Sequence, residues 1–211
     1  KEAARRTLDY VLLELTSPQG AFYSAQDADS EGVEGKFYVW TPQEISEYLN
    51  DDEAKAFCTY YDIRPEGNWE GVSIPRTPRS LLEVANELEL DADYLSQLIN
   101  NCRQTVYQGR KKRIPPGTDD KIITAWNGMM IGAMAEGYRV LGDSRYLQAA
   151  SSSADFIRAH LIDADGHLLR TYREGKAHLN GCLEDYAYLA EGLLDLYEAG
   201  GNAEYLAWSQ Q

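Results

Sequence analysis

The sequence predicts a mainly α protein made of helical hairpins in two layers, with short β-hairpins in the loops between helices. Three observations indicate this class. Most of the 211 residues follow helical periodicity. One segment recurs 59 residues further along, a length that suits one helical hairpin with its loops. The helix from Leu183 is apolar on nearly every side, which is typical of an inner helix, whereas the helix from Tyr146 has a single apolar stripe, which is typical of an outer one.

The predicted helices follow one another along the chain. The first covers residues 3–15. The second begins at TPQE, where Thr41 is an N-cap, Pro42 suits the first turn and Glu44 completes a capping box. The aromatic-rich segments FYS at 22–24 and KFYV at 36–39 predict short strands. Further helices are predicted over residues 78–88, 91–109, 123–141, 143–161, 183–199 and from 202 onward.

Two internal repeats define the predicted module. EGYRVLGDSRYL at 136–147 matches DLYEAGGNAEYL at 195–206. A second match pairs Gly20 and Phe22 with Gly166 and Leu168, 146 residues apart. Each copy of the second match is an outer helix that runs into a glycine turn. The two repeats together indicate hairpins with inner and outer layers and predict a ring or solenoid of helices. Residues from about 20 to 120 exceed the module and are predicted as an expanded loop or insert within one domain, 1–211.

Composition excludes several classes of partner. A formal net charge of -14 and a pI near 4.6 argue against nucleic acid and anionic membranes, which would repel the chain. No segment approaches the roughly 20 apolar residues of a membrane span. The three cysteines lack CxxC spacing, so neither a disulfide framework nor a zinc site is predicted, and we expect a reducing, cytoplasmic compartment. No metal and no cofactor is predicted.

The acidic stretch FYSAQDADSEGVEGKFYVW at 22–40 clusters four carboxylates, which are the ligands of a calcium loop. An EF-hand counted from Asp27 requires a bidentate Glu at its twelfth position, and Tyr38 stands there. The EF-hand interpretation therefore fails. An irregular cation site and a polar loop between two short strands remain as alternatives, of which the loop is better supported.

Four segments together resemble a known family: the acidic stretch above, GNWEG at 67–71, PPGTDDKIITAWNGMMIGAMAEGY at 115–138 and LEDYAYLAEGLLDLYEA at 183–199. The chain resembles the thioredoxin-domain-containing family that includes spermatogenesis-associated protein 20 and the bacterial YyaL-type proteins. The resemblance implies an N-terminal thioredoxin-like domain outside this chain. It also implies that the chain is part of an (α/α)6 six-hairpin toroid, similar to N-acylglucosamine 2-epimerases and six-hairpin glycosidases.

Candidate site residues follow from the offset and from the toroid. The 59-residue offset aligns Trp126 with Asp185 and Asn127 with Tyr186, at the starts of two inner helices that would converge at one mouth of a closed ring. Carboxylates and aromatic faces at such a mouth suit a sugar. The candidate acid and base are Asp119, Asp120 and Asp185. The candidate substrate-binding residues are Lys121, Trp126, Asn127, Glu184, Tyr186 and His178 at the mouth, with Asp27, Asp29, Trp40, Asn68 and Trp69 in a lid or wall placed by analogy.

Structural roles compete with these chemical ones. Asp120 and Glu184 suit the capping of helix N-termini, Lys121 suits a pairing with a neighbouring carboxylate, and Trp126 and Tyr186 suit a core. An epimerase would favour histidine as its acid and base. Only His178 lies near an inner-helix start, which weakens that hypothesis.

The leading hypothesis is a carbohydrate-active domain that is glycoside hydrolase-like or sugar epimerase-like. The alternative is a non-catalytic helical platform that binds a polypeptide for the adjoining thioredoxin-like domain. The predicted partners are a carbohydrate, that domain and the remaining hairpins. Because the chain resembles a piece of a longer protein, we expect an exposed apolar flank and self-association through it.

Overall fold

The computed structural model describes all 211 residues, and the chain divides into two compact units. The first unit comprises residues 1–26 and 118–211, and the second comprises residues 27–117. The second unit lies within the region, about 20 to 120, that was predicted as an insert. None of the helices combines the length and the apolar character that crossing a membrane requires.

The first unit holds five helices and five short strands. Its helices are α1 (Glu2–Glu14), α6 (Thr124–Leu141), α7 (Ser144–His160), α8 (Leu183–Gly200) and α9 (Ala203–Ser209), and its strands are β1 (Ala25–Gln26), β4 (Thr118–Asp119), β5 (Ile122–Ile123), β6 (Leu169–Arg173) and β7 (Lys176–Asn180). The second unit holds α2 (Pro42–Ser46), α3 (Asp51–Tyr61), α4 (Leu81–Leu88) and α5 (Ala92–Arg110), with β2 (Asp29–Ser30) and β3 (Val33–Glu34). The predicted class, mainly α with helical hairpins and short β-hairpins in the loops, is confirmed.

Helices α6 and α8 pack directly against each other in the first unit. A methyl group built at Gly192 would lie 2.2 Å from the carbonyl oxygen of Gly128, and one built at Gly128 would lie 2.5 Å from the backbone of Tyr188. The two glycines therefore let the backbones touch, which no larger residue would permit. The unit's core forms around this pair and includes Ile131, Met134, Tyr146, Leu193 and Leu196.

The 59-residue repeat is confirmed by backbone hydrogen bonds. The Gly142 N–H donates to the Tyr138 carbonyl at 2.8 Å, and the Gly201 N–H donates to the Tyr197 carbonyl at 2.7 Å. Both glycines have φ of +73°, the left-handed conformation that commonly ends a helix. Helices α6 and α8 therefore end by the same turn.

The 146-residue repeat is confirmed in the same way. The Tyr23 N–H donates to the Leu15 carbonyl, and the Leu169 N–H donates to the Leu161 carbonyl, each at 2.8 Å. These bonds return the chain after α1 and after α7. The two outer helices thus enter the same kind of turn.

A three-stranded antiparallel sheet precedes α8 in the first unit, and no strand had been predicted there. β6 lies between β5 and β7, with Ile122 opposite Tyr172 and Thr171 opposite His178. Ile122 and Tyr172 belong to the face that packs against the core. Because side chains alternate along a strand, the opposite face carries Lys121, Thr171, Arg173, Lys176 and His178.

The second unit has its own core and includes one helix that was not predicted. Core members include Trp40, Ile45, Phe57, Leu95 and Ile99. Helix α2 begins at the predicted Thr41 capping box. The unpredicted α3 also begins with a capping box, in which Asn50 and Glu53 each accept a hydrogen bond from the other's backbone N–H.

The predicted FYS and KFYV strands are wrong. Phe22 forms only an isolated bridge to Thr16, and residues 36–38 form a turn. The strands inside the acidic stretch are β1, which pairs with β4, and β2 and β3, which pair with each other. Phe37 and Tyr38 instead place their rings about 5.2 and 5.1 Å from the guanidinium of Arg110, so stacking replaces strand pairing.

The acidic stretch turns on the pair Glu31-Gly32, and the same kind of two-residue turn occurs at two other Glu-Gly pairs. The type I′ turn, a two-residue turn between antiparallel strands, requires positive φ at both positions, and glycine at the second position meets that need without strain. In all three turns both residues have positive φ, with values of +54° and +74° at Glu31-Gly32, +49° and +81° at Glu70-Gly71, and +51° and +79° at Glu174-Gly175.

Candidate functional site

Asp185, a candidate acid or base, is fully buried where α6 and α8 begin. Its Oδ1 accepts a hydrogen bond from the Ala125 N–H at 3.0 Å. Its Oδ2 accepts from the Cys182 N–H at 2.8 Å and from the Arg170 guanidinium at 3.2 Å. The carboxylate therefore joins the first turns of both helices.

Asn127, a candidate ligand residue, is also buried and has every hydrogen-bonding position filled. Its Oδ1 accepts from the Phe22 N–H at 2.8 Å and from the Ser153 hydroxyl at 2.9 Å. Its Nδ2 donates to the carbonyl oxygens of Phe22 and Ile123, both at 3.0 Å. The amide holds the glycine turn after α1 against the start of α6.

Tyr186 makes the equivalent contact one repeat further along. Its hydroxyl accepts a hydrogen bond from the Leu168 N–H at 3.0 Å. Leu168 corresponds to Phe22 in the 146-residue repeat, and Tyr186 corresponds to Asn127 in the 59-residue repeat. Both hairpin junctions are therefore fastened by a side chain from the first turn of the inner helix.

Trp126 and Glu184 occupy the same two helix starts. Trp126 is 49% exposed, so it is not the core residue that an inner helix suggests. Glu184 forms an ion pair with Arg170 at 2.6 Å. Arg170 thus neutralises both carboxylates at the start of α8.

Asp119 ends β4, and Asp120 and Lys121 lie between β4 and β5. Asp119 pairs with the Lys121 ammonium at 3.1 Å, and Asp120 lies 2.7 Å from Nε of Arg173. The second contact lacks hydrogen-bond geometry, which leaves the buried Oδ1 of Asp120 without a donor directed at it. Burial acts to raise the pKa of Asp119, but hydrogen bonds from Lys121 and Ser24 and the charge of Lys121 bring that pKa below its usual value.

The polar face of the sheet forms a cleft of about 470 Å³, which we call the sheet cleft. It is lined by Lys121, Thr171, Arg173, Glu174, Lys176 and His178. The structure therefore brings together Lys121 and His178, two of the predicted ligand residues. Asp119 and Asp120 adjoin this group through their pairs with Lys121 and Arg173.

Sequence reasoning missed the two arginines of β6, Arg170 and Arg173. Each pairs with carboxylates that had been singled out as candidates. The available signal was the Glu174-Gly175 turn between LRTYR and KAHLN, which is the pattern of a two-residue β-hairpin.

The predicted lid residues belong to the second unit, and their position relative to the sheet cleft stays a prediction. Oδ1 of Asp27 accepts from the Asp29 N–H at 3.2 Å, which closes a local turn. Oδ1 of Asn68 accepts from the Ile74 N–H at 2.9 Å, and its Nδ2 donates to the Ile74 carbonyl at 3.0 Å. Trp69 packs on Gly35, where a methyl group would lie 3.2 Å from its ring.

Asp163, Asp165 and His167 form the one group whose side chains could share a metal ion, with ligand atoms within 4.8 Å of one another. The Asp163 carboxylate accepts from the N–H groups of Asp165 and His167 at 2.9 and 2.8 Å. In the equivalent turn 146 residues earlier, the Ser17 hydroxyl accepts from the Ala21 N–H at 3.1 Å. Asp163 therefore closes a repeated turn, which accounts for its position.

The paired junctions and the parallel inner helices define a repeated helical-hairpin protein.

No protein-family profile matches the chain. The chain is 33% identical to human spermatogenesis-associated protein 20, across 99% of this chain and 31% of that protein. It is 30% identical to an uncharacterised protein of Caenorhabditis elegans, across 91% of this chain and 30% of that protein.

The chain belongs to the family that includes spermatogenesis-associated protein 20, as its motifs predict. It spans about a third of the length of the curated relatives it matches.

Several solved structures align with nearly the whole chain, each at low sequence identity and a TM-score below 0.5. A cellobiose 2-epimerase of Bacillus thermoamylovorans is 12% identical with a TM-score of 0.42, over 99% of this chain and 53% of that one. A GH76 α-mannanase of Bacteroides thetaiotaomicron is 14% identical with a TM-score of 0.40, over 98% of this chain and 67% of that one.

Proposed function

We propose that the sheet cleft binds a carbohydrate. The observation that carries the proposal is the convergence of hydrogen-bonding side chains on one cleft of about 470 Å³, in which every lining side chain is polar. Ammonium, guanidinium and imidazole groups donate hydrogen bonds, a carboxylate accepts them and the Thr171 hydroxyl does both. A sugar presents hydroxyl groups that donate and accept in the same way.

Binding fits the described carboxylates better than hydrolysis does. A glycosidase needs one carboxyl group with a raised pKa to act as its acid. The pKa of Asp119 is lowered, so its side chain is ionised at neutral pH and accepts rather than donates a proton. Both oxygens of Asp185 are bonded inside the helix junction. We therefore assign Asp185 a structural role and Asp120 a role at the edge of the sugar site.

Calorimetry with a panel of neutral mono- and disaccharides tests the proposal. Lys176 is the variant of choice because it lines the cleft, is exposed and forms no ion pair. Lys176→Gln and His178→Ala are expected to weaken sugar binding by about tenfold, or about 1.4 kcal/mol. Lys55→Gln is the matched control, since Lys55 is an exposed, unpaired lysine of the second unit.

Saturable binding that falls in the two cleft variants and stays unchanged in the control would support the proposal. If no sugar binds, or if Lys55→Gln weakens binding equally, the cleft is not the sugar site. A reducing-sugar assay on any disaccharide that binds separates binding from hydrolysis.

A second candidate function, polypeptide binding, is favoured by apolar side chains exposed on the inner helices. Trp126 and Met129 of α6 and Leu194 of α8 are 49%, 46% and 42% exposed. Exposed apolar surface of this kind favours association.

Sedimentation of the chain and of a Met129→Glu variant tests this candidate. Self-association that the variant abolishes would support it. A monomer at every concentration would oppose it. The thioredoxin-like partner domain stays a prediction.

A further inference from the structure

One face of α5 carries two arginines that have no carboxylate partner. Arg103 and Arg110 are seven residues apart, with Val106 and Tyr107 between them at helical spacing, so all four share one face. Their side chains line a cavity of about 270 Å³ inside the second unit.

The remaining walls of this cavity are flat and apolar. Trp40, Phe57, Tyr61 and Pro75 supply them. Trp40, a residue singled out from the sequence as a ligand contact, is almost fully buried there, with the guanidinium of Arg113 3.8 Å from its ring. No carboxylate side chain lines the cavity.

The two cavity arginines differ from all others in the chain. The other arginines each form an ion pair with a carboxylate: Arg5, Arg6, Arg64, Arg76, Arg79, Arg113, Arg139, Arg145, Arg158, Arg170 and Arg173. This is expected where 34 acidic residues outnumber 20 basic ones. Two unpaired guanidinium groups facing one cavity therefore require an explanation.

Both guanidinium groups also leave a buried donor without an acceptor. Nη1 of Arg103 and Nε of Arg110 are buried and have no hydrogen-bond partner. The rings of Phe37, Tyr38 and Tyr107 lie 5.1 to 5.3 Å from the Arg110 guanidinium, which stabilises its charge. Rings do not replace an oxygen acceptor, and a buried charged donor that lacks one is destabilising.

We propose that this cavity binds a small aromatic carboxylate. A carboxylate supplies two oxygens in the geometry that a guanidinium prefers, so it would pair with the two arginines of α5. A flat ring would pack against the aromatic walls. The cavity lies in the second unit and the sheet cleft in the first, so this proposal does not depend on the sugar site.

Calorimetry with benzoate, its neutral isostere benzamide and acetate tests the proposal. Benzoate is expected to bind saturably, benzamide at least about tenfold more weakly because it lacks the charge, and acetate more weakly because it lacks the ring. Arg103→Gln is expected to weaken benzoate binding by at least about tenfold and Arg103→Lys by less, since lysine keeps the charge but not the planar fork. Arg6→Gln is the control, because Arg6 is exposed, paired with Glu2 and part of the first unit.

Thermal unfolding separates loss of the ligand from loss of the fold. Arg103→Gln is expected to keep the unfolding midpoint, because it removes a donor that has no partner in the cavity. If this variant does not fold, Arg103→Lys carries the test. Equal affinity for benzoate and benzamide, unchanged affinity in the folded Arg103 variant, or no saturable benzoate binding would each overturn the proposal.

Discussion

The carboxamide of Asn127 holds both backbone polar groups of Phe22, a residue 105 positions away: Oδ1 accepts from its N–H at 2.8 Å and Nδ2 donates to its carbonyl at 3.0 Å. These bonds fasten the turn after α1 to the start of α6. The same connection is made between Leu168 and Tyr186 one repeat later. The repeat therefore preserves the position of a junction while changing the side chain that makes it.

The first prediction concerns this junction. Asn127→Ala removes all four hydrogen bonds of the amide and leaves both polar groups of Phe22 buried without partners. We expect a loss of about 3 kcal/mol in the free energy of unfolding, measured by urea denaturation. Ser153→Ala, which removes one donor to the same Oδ1, is expected to lose about 1 kcal/mol. Equal losses in the two variants would contradict the assigned junction.

The second prediction separates a structural carboxylate from an exposed one. In Asp185, Oδ1 accepts a hydrogen bond at the start of α6 and Oδ2 accepts at the start of α8, and Asp185→Asn replaces one of these oxygens by an amide nitrogen that cannot accept. We expect it to lose about 2 to 4 kcal/mol of unfolding free energy, since a buried donor is left unpaired. Asp120→Asn is expected to change stability by less than about 1 kcal/mol, because its pair with Arg173 is about half exposed. Similar stabilities for the two variants would restore Asp185 as a candidate catalytic group.

The third prediction concerns the Glu-Gly turns. Asparagine tolerates the left-handed conformation better than glutamate does, and Asn-Gly is the preferred pair in such a turn. We expect Glu174→Asn to stabilise the chain by about 0.5 kcal/mol. Gly175→Ala, which puts a side chain at φ of +79°, is expected to destabilise it by about 1 kcal/mol or more. Denaturation of the two variants beside the parent chain checks both signs.

The fourth prediction is a pH dependence centred on Asp195 of α8. Burial raises the pKa of this carboxyl group, and Glu191, Glu198 and Glu136 raise it further, while Arg139 partly opposes them. Because the folded pKa lies above the unfolded one, Asp195 has no effect on stability at low pH and becomes destabilising as pH rises above the unfolded value near 3.9.

An isosteric variant tests that dependence. Asp195→Asn is expected to unfold at a higher temperature than the parent chain at pH 7 and at the same temperature at pH 3. A variant that is less stable than the parent at pH 7 would show that the Asp195 charge is favourable in the folded chain.

Features carried by neighbouring residues were predictable from the sequence. The Thr41 capping box needs only a few adjacent residues, and it was confirmed. Helix α3 was missed because its mixed polar sequence shows no clear stripe, and its buried Ala54 and Phe57 gain meaning only from the core around them.

The candidate site was predictable only in part, because the residues that meet in the sheet cleft depend on how β5, β6 and β7 pair with one another. The sequence located Lys121 and His178, but Arg173 joins them through pairing in the sheet, and that pairing depends on an unrecognised two-residue turn. Asp185 lies at the predicted helix start. Its role is set by Ala125, a partner 60 residues away that the pattern of charges does not reveal.

The fifth prediction concerns the contact between the inner helices. Gly192→Ala would place a methyl group 2.2 Å from the Gly128 carbonyl oxygen, so α6 and α8 must separate to accept it. We expect a loss of about 3 kcal/mol or more, because overpacking at a backbone contact cannot be relieved by a side-chain rotation. Gly200→Ala on the same helix is the matched control: its methyl group would meet only the end of the Leu147 side chain at 3.3 Å, and alanine is the better helix former. A loss in Gly192→Ala with little change or a gain in Gly200→Ala would establish that the spacing of the inner helices, on which the Asp185 junction depends, is set by this glycine pair.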